Sequence, residues 1–334
     1  MGIRRYTGII SVLLWVISIG LLFSKGLNFG LDFTGGTQIE VRFAEPISPT
    51  VVREQLEQGG IHGARVQQYG STKDLLIRVG NSKIAAEAQE YSTEQAGEET
   101  LEVSDLQGMR KNLEENSAVT SPEKERTVSA KVKHILLKNE PSVEIRRTEF
   151  VGSEVGAQLV EQGGVAVLVS ILATMIYIAL RFEYRLAVSA AVGLCHDAFL
   201  ILGVFALFGF EFDLATLASI LAVLGYSLND TIVVFDRVRE NFRKVRKSNP
   251  VEIMNLSINQ TLSRTIMTSW MTLLVVLALL LFGGENLFGF SMAFFIGIVI
   301  GTFSSIYVSG ALALWLGLSR ADLLPKPKTD VDSL

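Results

Sequence analysis

The sequence has one cysteine, Cys195, so no internal disulfide can form; that thiol lies in an apolar run, where it reads as a small packing residue. Lys and Arg gather in no groove-like cluster, and the formal net charge is −4, which leaves no footprint for a nucleic acid. Phosphate loops are missing too. Gly35-Gly36 and Gly283-Gly284 have neither Walker nor dinucleotide spacing. His196 beside a membrane serine could suggest an intramembrane protease, but no serine stands in a nucleophile motif. No catalytic residue, metal or cofactor is therefore assigned, and the chain is not read as an enzyme. Charge is also absent over long stretches. The apolar 49% of the residues concentrates in runs of about twenty, the length that spans a bilayer.

Six such runs are predicted to be spans. The first, Thr7 to Ser24, follows Arg4-Arg5 and lacks a small-x-small cleavage pattern, so it is expected to stay as an anchor. The others are Gly163 to Leu180, Leu186 to Phe210, Leu214 to Phe235, Ile258 to Phe282 and Phe288 to Leu316. Arg181 and Arg185 flank the turn between spans two and three. Arg237, Arg239, Arg243, Lys244, Arg246 and Lys247 crowd the loop from Arg237 to Ser263, and the tail carries Arg320, Lys326 and Lys328. The turns at Glu211 to Asp213 and Gly283 to Asn286 have neither Lys nor Arg. By the positive-inside rule the basic side, with both termini, is cytoplasmic. Four parts follow: 1–25, N-terminus and span one; 26–161, an outer polar domain; 162–318, spans two to six; 319–334, a cytoplasmic tail.

The outer domain reads as α+β. Thr37 to Phe43 alternates polar and apolar like a strand. Ser48-Pro49 opens a helix that Gly59-Gly60 stops. Arg65 to Tyr69 and Leu75 to Val79 are predicted strands around a turn at Gly70 to Asp74. A second helix over Lys131 to Lys138 and a strand over Val143 to Phe150 complete the split βαβ, ferredoxin-like order. Between them, Ser82 to Glu125 is rich in Glu, Gln, Ser and Ala, which predicts exposed helix or partial disorder.

The chemistry concentrates in spans three to five. Asp230 sits inside span four, where a charge costs roughly 2.5 to 3.5 kcal/mol and is a functional hypothesis by default. Ser219, Ala222, Tyr226, Asp230 and Val234 fall near one helical face, and Ser227 is placed to hydrogen-bond Asp230. Span five carries a polar stripe, Ser257, Thr261, Arg264, Thr268 and Thr272, suited to a bundle interior. Spans four and five run antiparallel, so Asp230 and Arg264 can meet at one level. Burial penalises the carboxylate and a neighbouring guanidinium favours it, a balance that could couple a proton to helix movement. A static ion pair that fixes helix register is the plain alternative. His196-Asp197 in span three is a second polar node, or a satisfied packing histidine, and Asn229 is a candidate hydrogen-bond partner. Gly297, Gly301, Ser305 and Ser309 form a small-residue ridge for close helix packing in span six.

Three long motifs resemble the SecD/SecF family of bacterial protein-export membrane subunits. They are Gly30-Leu31-Asp32-Phe33-Thr34-Gly35-Gly36-Thr37, Arg147-Thr148-Glu149-Phe150-Val151-Gly152, and Ser227 through Asn241; Ser263-Arg264-Thr265-Ile266 also matches. The resemblance implies a membrane α-helical fold, one six-span half of a resistance-nodulation-division-type transporter with an inserted ferredoxin-like periplasmic domain. It implies an inner-membrane auxiliary subunit that pairs with SecD and works with the SecYEG channel on a translocating preprotein, amid lipid and driven by protons. In that reading Asp230 and Arg264 match the family's proton-pathway pair, while the Asp32 to Thr37 stretch is structural. The segment from Ser82 to Glu125 is longer than the compact domain the resemblance implies. Two other functions stay open: a proton-coupled exporter of small hydrophobic substrates, and a passive scaffold holding SecD to the channel.

Overall fold

The structure, a computed structural model, describes residues 4–80, 121–140, 142–245 and 248–319. It divides into two units, one of Met1–Asn28 with Gly163–Leu334 and the other of Phe29–Gln162.

The second unit is built on a four-stranded antiparallel sheet. Its strands are β1 (Gly36–Arg42), β2 (Arg65–Tyr69), β3 (Ser71–Val79) and β4 (Glu144–Val151), in spatial order β2-β3-β1-β4. Helices α2 (Pro49–Gln58) and α3 (Ser121–Asn139) supply the split βαβ connections, so the ferredoxin-like order holds. The alternation in β1 sends Ile39 and Val41 inward against Leu75, Ile77, Val52, Leu56, Val132 and Leu136, all buried. Each large aliphatic side chain so buried contributes roughly 1.5 to 3 kcal/mol of transfer free energy. The opposite face is polar: the Arg78 guanidinium donates to Gln38 Oε1 at 2.7 Å, and Gln38 donates on to Glu149 at 3.3 Å.

Three details differ from expectation. The β2–β3 turn is narrower, because Gly70 alone takes φ +70° and the strand resumes at Ser71. Ser48 occupies the N-cap of α2 without capping it; its hydroxyl meets that of Thr50 at 2.6 Å. Helix α3 also begins ten residues before the predicted Lys131. Most of the acidic stretch, 82–120, and the tail with Arg320, Lys326 and Lys328 lie outside the described residues.

Among the described residues, six helices are long and apolar enough to cross a membrane. They are α1 (Arg4–Ser24), α4 (Ser153–Arg181), α5 (Tyr184–Phe208), α6 (Leu214–Lys244), α7 (Pro250–Phe282) and α8 (Glu285–Ser304). The last continues through a π-helical stretch, Ser305–Ser309, into α9 (Gly310–Trp315). Helix α5 lies at the centre of its bundle and buries most of its length, while α1 and the membrane part of α4 bury little of theirs.

Helices α6 and α7 run well past the apolar segments assigned to them, and little of the predicted Arg237 to Ser263 loop is loop. Helix α6 continues to Lys244, with Arg237–Glu240 and Lys244–Glu240 pairs along its exposed end. Helix α7 starts at Pro250, behind a capping box in which Asn249 Oδ1 accepts from Val251 N and Glu252 accepts from Asn249 N. Small residues set the close approaches around α8. A Cβ on Gly297 would come within 2.5 Å of Val223, and one on Gly301 within 3.1 Å of Ser227.

Candidate functional site

Two hydrogen-bonded contacts fix α6 against α7. Near the basic end Asn241 Nδ2 donates to Ser257 Oγ at 2.8 Å and to Gln260 Oε1 at 2.9 Å. Further along, Tyr226 donates to Ser269 at 3.4 Å, and Ser269 meets Thr302 of α8 at 2.8 Å. Interpolating between these contacts puts Asp230 opposite the turn 264–268, so Asp230 and Arg264 do share a level.

They do not share a face. Asp230 is 3% exposed, and its Oδ2 accepts no hydrogen bond from any described residue. The Arg264 side chain is exposed. It acts on Asp230 through space, without an ion pair inside 4 Å. The inner row of α7 is Ser257, Thr261, Thr265 and Ser269, stepped by four. Arg264 and Thr268 belong to the neighbouring row, one residue around the helix. On α6 the buried row runs through Ser219, Val223, Ser227, Asp230 and Val234, whereas Ala222 and Asn229 are exposed. Asn229 therefore faces away from the Asp230 carboxylate.

Ser227 is not bonded to Asp230. Its hydroxyl donates to Asp197 Oδ2 at 2.7 Å. Asp197 Oδ1 lies 3.1 Å from His196 Nδ1, and His196 Nε2 lies 2.6 Å from Ser11 Oγ on α1. One tautomer satisfies the whole chain: Ser11 donates to Nε2, and Nδ1–H donates to the carboxylate. All four side chains are buried, Asp197 completely. Sequence reading found the central two, gave Ser227 the wrong carboxylate as its partner, and missed Ser11. A serine in an apolar helix carries no signal of which neighbour it will meet.

Comparison with known proteins agrees with this architecture. The family model for the protein export membrane protein SecD/SecF, C-terminal, matches residues 131–319, and the SecD/SecF GG motif matches residues 20–47. The protein translocase subunit SecF of Pseudomonas aeruginosa is 41% identical over 99% of this chain and 95% of its own length. That of Vibrio alginolyticus is 43% identical over 97% and 92%. The chain belongs to the SecD/SecF family. Among solved structures it is similar to SecDF from Thermus thermophilus, described as a translocon-associated membrane protein, with TM-score 0.73 and 34% identity over 95% of this chain. The chain spans only 38% of that SecDF chain.

Family membership gives the glycine pair a physical reading. Gly35 takes φ +65° and Gly36 φ +136°, conformations that favour glycine. A Cβ on Gly36 would lie 2.5 Å from the Val79 carbonyl oxygen. A Cβ on Gly156, in the first turns of α4, would lie 2.9 Å from the Phe33 carbonyl oxygen. The motif therefore lets backbones approach closely at the start of β1. It brings no phosphate-binding geometry.

Proposed function

We propose that this chain is an auxiliary subunit of the bacterial Sec protein-export machinery, a transport component and not an enzyme. In this reading it pairs with SecD in the inner membrane, beside the SecYEG channel, and the two use the proton-motive force on a translocating preprotein. Both termini lie in the cytoplasm and the ferredoxin-like unit in the periplasm, as the Lys/Arg asymmetry of the short connections favours.

One observation carries the coupling role: a carboxylate, Asp230, buried at membrane depth with an oxygen that no described residue bonds. Structural buried carboxylates are normally satisfied, so an unsatisfied one asks for a reason. A proton supplies it. Protonation removes the buried charge and the attraction of Arg264, and deprotonation restores both. The α6–α7 seam, held by hydroxyl and amide contacts at either side of Asp230, can then take two arrangements. Movement passes to the periplasmic unit through the chain connections at Asn28 and Gln162. One elementary charge crossing 100 mV supplies about 2.3 kcal/mol, enough to bias a two-state element by about fifty-fold.

Asp230→Asn keeps the size and abolishes titration. Gradient-stimulated export in vesicles containing the assembled complex is expected to disappear, with the ATP-driven component retained. Normal stimulation in that variant would leave the scaffold reading in its place. The small-molecule exporter reading predicts substrate accumulation in cells lacking the chain.

A further inference from the structure

The hydrogen-bonded chain Ser11–His196–Asp197–Ser227 joins three helices, and α8 closes over it where a Cβ on Gly301 would lie 3.7 Å from Asp197 Oδ2. Ser227 is one turn, about 4.5 Å of helix rise, from Asp230 on α6. At the other end Ser11 belongs to α1, which leads along the chain into the periplasmic unit.

We propose that Ser11, His196, Asp197 and Ser227 are positioning residues that act as a strut. They tie the helix carrying Asp230 to α1, so that a shift of α6 is passed on and not absorbed. The inference rests on the reading of Asp230 given above.

Three features support a strut over a proton conduit. First, the chain runs sideways across helices α6, α5 and α1, and Asp230 bonds no member of it. Secondly, Asp197 accepts two hydrogen bonds, one per oxygen, at 3.1 and 2.7 Å, and a buried polar network whose members are all satisfied rigidifies what it joins. A 2.7 Å bond cannot follow a slide of one ångström; its partner moves or the bond breaks. Thirdly, α1 is seated on α5 at two further points. A Cβ on Gly203 would overlap the Ser18 hydroxyl, and the rings of Trp15 and Phe199 meet edge-on at 5.7 Å. A pull on α5 therefore carries α1 with it. Residues that only filled space would need no hydroxyl at both ends.

The test uses the complete chain assembled with SecD in vesicles, and measures gradient-stimulated export per assembled complex. Ser11→Ala and Ser227→Ala are each expected to lower it at least about fivefold, one lost hydrogen bond of about 1 kcal/mol or more. The double variant is expected to be no worse than either single, because a strut breaks only once. Gly301→Ala, which crowds Ser227 from α8, is expected to act in the same direction. Ser189→Ala, on α5 but outside the chain and outside the α1 seat, whose hydroxyl donates to Leu186 O of its own helix at 2.9 Å, is expected to change nothing. Losses that multiply in the double variant overturn the strut, as do losses matched by Ser189→Ala or accounted for by the amount of complex alone. Inactive Asp230→Asn beside normal serine variants overturns the strut but leaves the coupling reading. Normal Asp230→Asn overturns both.

Discussion

Two buried aspartates in the two units are treated in opposite ways. Asp74 in β3 of the ferredoxin-like unit is 6% exposed and fully engaged: Arg42 donates to Oδ1 at 2.6 Å and to Oδ2 at 2.7 Å, and Ser71 donates to Oδ2 at 2.7 Å. The Arg42 hydrogen bonds, helped by Ser71, hold its carboxyl down to about 2 against the opposing effect of burial. Asp230 is as deeply buried, has no described donor on Oδ2, and feels its arginine only at a distance. A satisfied carboxylate fixes a structure, because either change of protonation costs bonds. One left without donors can change state at little structural cost, which suits a coupling site.

Making Asp230 resemble Asp74, or the reverse, sharpens that contrast, and the largest effect belongs to function. Asp230→Asn is expected to remove gradient-stimulated export, whereas Asp74→Asn is expected to leave its maximal rate unchanged and weaken only the ferredoxin-like unit. Next in size is the apolar core of that unit. Leu56→Ala, at a fully buried position of α2, should cost about 2 to 5 kcal/mol. Amide hydrogen exchange of β1 and β3 in the full chain would report it.

A smaller effect is the pH response of the same strands. The folded Asp74 value of about 2 lies below the ordinary carboxylate value near 4, so its contribution is complete above about pH 4. It is lost as pH falls from about 4 through 2. Exchange from β1 and β3 should accelerate over that window in the wild type, and the step should flatten in Arg42→Ala. The smallest effect is expected from Asn249→Ala, which removes the cap of α7 and should cost about 1 kcal/mol, read as fraying of its first turn.

What the sequence revealed divides along the same line. Apolar runs and two-residue alternation report burial, and burial is what places spans and strands; both the six spans and the ferredoxin-like succession of strands and helices along the chain were legible for that reason. Helical spacing also placed Asp230 and Arg264 at one depth. Which row each side chain occupies was not legible. A shift of one residue rotates it by about 100°, and that separates Arg264 from Thr265. Ser11 was invisible as a partner and Ser227 was assigned to the wrong carboxylate, since tertiary packing alone decides which polar groups of different helices meet. The start of α7 was readable in Asn249-Pro250 with Glu252, but hydropathy ends where the membrane does, and the helix does not.

The most direct measurement is proton entry into vesicles that hold the assembled complex and an internal pH-sensitive dye, recorded while a preprotein is being moved under an imposed gradient. With Asp230 intact, acidification of the lumen is expected to rise with transport, and with Asp230→Asn that coupled rise is expected to be gone while ATP-driven movement continues. An undiminished, transport-linked proton flux through Asp230→Asn would contradict the assignment of this carboxylate as the coupling group.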